Sequence, residues 1–180
     1  GDFIFAFDHI EDRALIEDKL QLWRRYSNRT TKLFLLCGYD SQDKNDIENT
    51  FKRIKILMKY GCLPYIMRYE SVKDTKYRTF YTQIARWCNQ PNFFKKKSFR
   101  QFCEANQDYH KNKDTNCSAY QSMIEFQKEF PDIASQYFDL RFDEENVYSN
   151  SYGYGRKYSH KPGCDSCEKD MRTWIKAFNG

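Results

Sequence analysis

Two thiols stand two residues apart at Cys164 and Cys167, a spacing at which both thiolates can bind one zinc ion or one cluster iron. A closed site needs two more ligands, and Cys103, Cys117, His110 and His160 are the candidates. A second Cys-x2-Cys is lacking in the sequence, so two free thiols or a redox pair compete with the metal. Asp8-His9 joins a carboxylate to an imidazole, but neighbours on an extended segment point to opposite sides. A structural or helix-capping acid therefore competes with a ligand-facing Asp8, and the same choice applies to Asp40-Ser41. Arg86-Trp87 suits packing and pairing better than catalysis. The Tyr- and Gly-rich stretch 148–158 suits a loop better than a surface for stacking bases. Lys95, Lys96, Lys97 and Arg100 form the main basic cluster, which reads as a solvated loop and helix start before it reads as a phosphate contact. No Ser-His-Asp order, phosphate-binding glycine loop or paired-carboxylate motif stands out, and seven glycines argue against a nucleotide-binding fingerprint.

The chain of 180 residues fits one domain. It is too short for eight β/α units, which take about 250 residues. The net charge of +5 comes from 30 basic and 25 acidic residues of interspersed sign, which permits attraction to nucleic acid without arguing for it. Aromatic residues at 18% imply large packed or stacking surfaces. Seven cysteines, an odd number with no signal peptide ahead of them, point to a reducing, cytoplasmic compartment rather than a disulfide framework. No apolar run approaches the ~18 residues that span a membrane.

The elements that must position these residues follow from hydrophobic period. Phe3–Phe7, Leu33–Cys37 and Leu63–Met67 are continuous apolar runs, as strands buried on both faces read. Pro64 restricts the third run to a strand start. Between the runs lie two helical patterns. The first covers about 12–26, with Leu15, Ile16, Leu20, Trp23 and Tyr26 on one face. The second covers about 43–60, with Ile47, Phe51, Ile54, Leu57 and Met58 buried and Gly61 as C-cap. The period of roughly 30 residues makes these βα units, for which a barrel and a doubly wound sheet are both open. Beyond them the sequence predicts a polar loop at 71–77, a helix at 79–89 ended by Pro91, and a Phe93-Phe94 plug. Ser98 and Gln101 read as a capping box opening another helix to about Ala105 or beyond. A polar linker at 108–116, a helix at 118–130 stopped by Pro131, and a short terminal helix carrying Trp174, Ile175 and Phe178 complete the expectation.

Three pieces together resemble the second half of the radical S-adenosylmethionine barrel, most of all a group of bacterial and phage-associated iron–sulfur oxidoreductases. They are Phe5-Ala6-Phe7-Asp8, Leu35-Leu36-Cys37-Gly38-Tyr39-Asp40-Ser41, and Tyr65-Ile66-Met67-Arg68-Tyr69 followed by Ala85-Arg86-Trp87-Cys88-Asn89. The resemblance covers about residues 3–105. It implies that the α/β pattern over 1–105 is a partial (β/α) barrel of parallel strands; beyond it, the residue pattern alone reads as a helical and loop-rich extension over 106–180 packed on it. The resemblance implies that Asp8, Gly38, Asp40, Ser41 and Arg68 face S-adenosylmethionine, in keeping with ligand binding at the C-terminal ends of parallel strands. The family's Cys-x3-Cys-x2-Cys site for a 4Fe-4S cluster is missing from this sequence. The expectation is therefore a fragment, inactive alone, whose partner is the N-terminal half of the barrel and whose small-molecule or peptide substrate is open. A half barrel exposes strand edges and apolar surface, so self-association is expected. Cys164 and Cys167 stand as candidates for zinc or an auxiliary cluster. The alternative is a stand-alone α/β binding module, zinc-stapled at these cysteines, that contacts nucleic acid through Lys95–Arg100.

Overall fold

The computed structural model describes residues 4–27, 29–111 and 117–148. Expectations for Cys164, Cys167, His160, the stretch 149–158 and the terminal helix lie outside these residues. The chain begins with strand β1 (Ile4–Ala6), a 3-10 turn at Ile10–Asp12 and helix α1 (Arg13–Tyr26). Strand β2 (Lys32–Cys37), helix α2 (Lys44–Lys59) and strand β3 (Leu63–Arg68) follow. The strands form one parallel sheet in the order β1-β2-β3. Strands that neighbour in sequence order with right-handed crossovers place both connecting helices on the same face. The β2 side chains alternate to match: Leu33, Leu35 and Cys37 are buried, while Phe34 and Leu36 on the other side are only partly buried.

Helix α2 begins where the Asp43 carboxylate accepts the backbone N–H groups of Asn45 and Asp46. All five expected stripe residues, Ile47, Phe51, Ile54, Leu57 and Met58, are buried. Helix α1 differs from expectation. Ile16 and Leu20 are buried, but Leu15 is 57% and Tyr26 55% exposed, because α1 turns a second apolar stripe away from the sheet.

A 3-10 turn at Glu70–Asp74 replaces the expected loop and leads into α3 (Arg78–Cys88). Pro91 opens the one-turn helix α4 (Pro91–Phe94); of the expected Phe93-Phe94 plug, Phe94 is buried in the core and Phe93 is 37% exposed. The Ser98–Gln101 capping box forms in both directions: Gln101 N–H donates to Ser98 Oγ at 3.2 Å and Ser98 N–H to Gln101 Oε1 at 3.0 Å. It starts α5 (Phe99–Lys111), which runs through residue 105 into the expected linker. Helix α6 (Ser118–Glu129) stops before Pro131, which also opens α7 (Pro131–Tyr137); the short α8 (Phe142–Glu145) ends the described chain. Helix α2 meets the later helices through aromatic rings. Phe51 of α2 touches Phe80 of α3, Phe99 of α5, and Tyr137 and Phe138 at the end of α7, with ring centroids 5.5–6.4 Å apart. Phe80 stacks on Phe126 of α6 at 4.2 Å. No helix among the described residues is long and apolar enough to cross a membrane.

Candidate functional site

The parallel strands all finish at one end of the sheet, and the five expected cofactor-facing residues lie there because each follows or closes a strand. Asp8 comes two residues after β1. Its Oδ1 accepts the N–H of Leu36 at 2.8 Å, so the carboxylate takes the place of the next ladder acceptor and ends the β1–β2 pairing. Gly38 follows β2 with φ +74, in the left-handed region where glycine carries no steric cost. A Cβ there would sit 2.1 Å from Val72 Cγ2, so the turn also needs the missing side chain. The peptide of Gly38 is fully engaged. Its N–H donates to Asp46 Oδ2 at 2.9 Å, and its carbonyl accepts Gln42 Nε2 at 3.0 Å and Ser71 Oγ at 2.8 Å. Ser41 donates to Asp43 and so supports the α2 cap. Asp40 is exposed, with His9 Nδ1 3.4 Å from its Oδ2. Arg68 is exposed and donates to Thr82 Oγ1 of α3. Next to it, Tyr39 and Tyr69 form an exposed edge-to-face pair with centroids 4.8 Å apart.

Beneath this rim lies a polar group that sequence reasoning missed. Arg53, in mid-α2, is only 2% exposed. Its Nη1 donates to the carbonyls of Phe7 (2.9 Å), Asp8 (2.7 Å) and Leu36 (2.9 Å), and Nη2 donates to Thr50 Oγ1 (3.2 Å). One guanidinium thus gathers the ends of β1 and β2. The available signal was position: Thr50, Arg53 and Leu57 fall at helical spacing beside the apolar stripe. Asp46 accepts Tyr81 Oη at 2.7 Å as well as Gly38 N–H, and burial raises its carboxyl above the ordinary range despite those bonds and the charge of Arg53. Burial also pushes the Cys37 thiol up to about 12, so this cysteine at the end of β2 stays protonated and is a poor nucleophile.

The structure brings Asp8, Gly38, Asp40, Ser41 and Arg68 to one end, but most of their polar atoms serve the backbone; the exposed charges are Asp40 and Arg68. Arg86 is exposed and donates to Gln83, while Trp87 is buried with Nε1 donating to the carbonyl of Lys97, in keeping with packing and pairing. Arg100 is held by Asp139 at 2.8 Å and by Gln127, which takes it out of the expected basic cluster. Cys103 and Cys117 are buried free thiols, and no group of three or more His, Cys, Asp or Glu is placed to hold a metal among the described residues. A cleft of about 320 Å³ lies elsewhere, between the start of α3 and α6, lined by Lys76, Tyr77, Ser118, Ser122, Glu125 and Glu129. None of the sequence-predicted residues lines it, and the Lys76–Glu129 ion pair (2.6 Å) crosses its rim.

No family model, curated protein or solved structure matches this chain.

Proposed function

We propose that this chain supplies three strands of the wall of a β/α-barrel enzyme of the radical S-adenosylmethionine type, and that it acts only together with residues bearing a Cys-x3-Cys-x2-Cys cluster site. The observation that carries this reading is the sheet face that, among the described residues, keeps exposed apolar side chains. Both crossover helices lie on one side, and the other presents Phe34, Leu36, Tyr65 and Met67; Phe34 and Tyr65 meet edge-to-face at 5.1 Å, and Tyr65 and Met67 are each 38% exposed. A parallel sheet in a doubly wound domain is covered on both faces. In a barrel the second face is the lumen, lined by such side chains, with ligands at the C-terminal rim.

The described residues do not fit an iron–sulfur cluster. Their five cysteines are buried, and burial raises Cys37, Cys62, Cys88 and Cys103 toward the protonated form, which is not a ligand. No electron-transfer step falls to them. Asp40 and Arg68 fit the polar end of S-adenosylmethionine, a carboxylate for its ammonium and a guanidinium for its carboxylate. The cofactor, when bound, supplies the radical that abstracts hydrogen; this chain would bind and orient it, and Arg53 would hold the ends of β1 and β2, the second of which leads into Asp40. The test starts from the gene. The coding sequence immediately upstream should carry the cysteine triplet, and the joined protein, reconstituted anaerobically, should hold a four-iron cluster and cleave S-adenosylmethionine. The 180-residue chain alone should do neither. Cluster binding and cleavage by this chain alone, or an upstream sequence without the triplet, overturns the proposal.

A further inference from the structure

The two edges of the sheet are built differently. Leu63 N–H donates to Thr31 O and Tyr69 N–H to Cys37 O, so the odd residues of β3 face β2 and the even ones face the outer edge. On that edge Pro64 has no N–H to offer. Both polar groups of Ile66 are taken by the Asn89 carboxamide: Ile66 N–H donates to Oδ1 at 2.7 Å, and Nδ2 donates to Ile66 O at 3.0 Å. Asn89 imitates a neighbouring strand and closes the sheet at β3.

At the other end Phe7 N–H donates to Phe34 O, which turns the backbone of Ala6 to the outer edge of β1, where Ala6 is exposed. The helix above it has two contrasting flanks. Toward α2, Glu17 and Gln21 bond Tyr60 Oη, Glu17 pairs with Lys59 at 3.0 Å, and Arg24 donates to Tyr60 O. Leu15, Leu22 and Tyr26, at spacings of seven and four, fall on the opposite flank at about 100° per residue. There Leu15 and Tyr26 are more than half exposed.

Resting on the barrel reading above, we propose that the outer edge of β1 and the outer flank of α1 form one docking surface for a further βα unit: a parallel strand on β1 and its helix on Leu15, Leu22 and Tyr26. The occupant is set by continuity. The β1–β2 and α1–α2 contacts already define the repeat, and the surface offers its next step in both layers, while the β3 edge offers none.

Two measurements test this on the full chain. In hydrogen exchange the Ala6 amide should exchange freely and the Ile66 amide slowly, and Asn89→Ala should release Ile66; a protected Ala6 overturns the proposal. The separately produced polypeptide bearing the upstream cysteine triplet is then titrated against variants. Ala6→Pro removes the outward N–H without touching the bonds to β2, and Leu15→Glu/Tyr26→Glu charges the helix flank. Each should weaken binding by on the order of tenfold or more, while Asn89→Ala leaves it within about twofold. Equal binding by all variants overturns the docking surface even if the joined protein cleaves S-adenosylmethionine. Absence of the triplet overturns both readings. A dimer of this chain that the same variants abolish, with no binding of the triplet polypeptide, overturns the assigned occupant.

Discussion

Replacing Arg53 by methionine keeps the aliphatic stem and removes the guanidinium that closes the strand ends. Three backbone carbonyls, of Phe7, Asp8 and Leu36, then lose their charged donor, and the half-buried Asp46 loses a nearby cation. Bonds to a charged group contribute about 1.5–3 kcal/mol each. Withdrawing that charge from water at 2% exposure offsets a large share of their sum. The net loss expected for Arg53→Met is about 3–5 kcal/mol, the range for breaking a buried charged network from one side. Against a total stability of about 5–15 kcal/mol this is a large fraction, and it corresponds to a fall in Tm of roughly 10 °C. Urea unfolding followed by circular dichroism, with a parallel thermal melt, measures it. Lys55→Met on the same helix serves as the control, expected within about 0.5 kcal/mol of the parent. If Arg53→Met lies within about 1 kcal/mol of the parent at unchanged slope, the guanidinium does not hold the ends of β1 and β2 and its role in positioning Asp40 falls with it.

Gly38→Ala should cost about 1–2 kcal/mol for the left-handed backbone alone, and more for the Val72 overlap, since Val72 is 2% exposed and has little room to yield; a urea midpoint unchanged from the parent refutes this. Asp46 has a folded pKa above its unfolded one, so its protonation favours the folded state fully below the ordinary value of about 3.9 and ceases to do so as pH rises through the raised value. The stability advantage of the parent over Asp46→Asn should therefore shrink as pH rises above the ordinary carboxylate value of about 3.9, read from urea midpoints at rising pH; an advantage that grows with pH contradicts it. With its thiol raised to about 12, Cys37 should resist alkylation in the native protein at pH 8, as should Cys62, raised to about 11. Pulse labelling with mass spectrometry checks this, and native-state labelling of either one as fast as in urea would refute the burial assigned to it.

Much of the fold was legible because βα units declare themselves locally. Phe3–Phe7, Leu33–Cys37 and Leu63–Met67 read as strands by unbroken apolarity, and α2 by a stripe whose five members are all buried. What escaped depended on partners distant in sequence. Nothing near Asp8 says that its carboxylate will meet Leu36, nor does anything near Asn89 say that it will cap Ile66. Arg53 was invisible as a buried group because arginine is mostly a surface residue, and only its three carbonyl acceptors allow it inside. Pro131 reads in the sequence as a stop, yet a proline that ends one helix suits the first turn of the next, as α7 shows. On α1 the apolar spacing suggests one face, whereas Leu15 and Tyr26 lie on another.

The ring cluster around Phe51 bears on how this chain could be cut or recombined. Phe80 and Phe99 lie before residue 105, and Phe126 and Phe138 after it, yet all four meet in one place. A truncation at 105 would strip Phe80 of the ring stacked on it and open Phe51 to water. The α/β part and the helices that follow would then have to be exchanged between proteins as a single cassette, and a crossover placed between them should yield insoluble progeny.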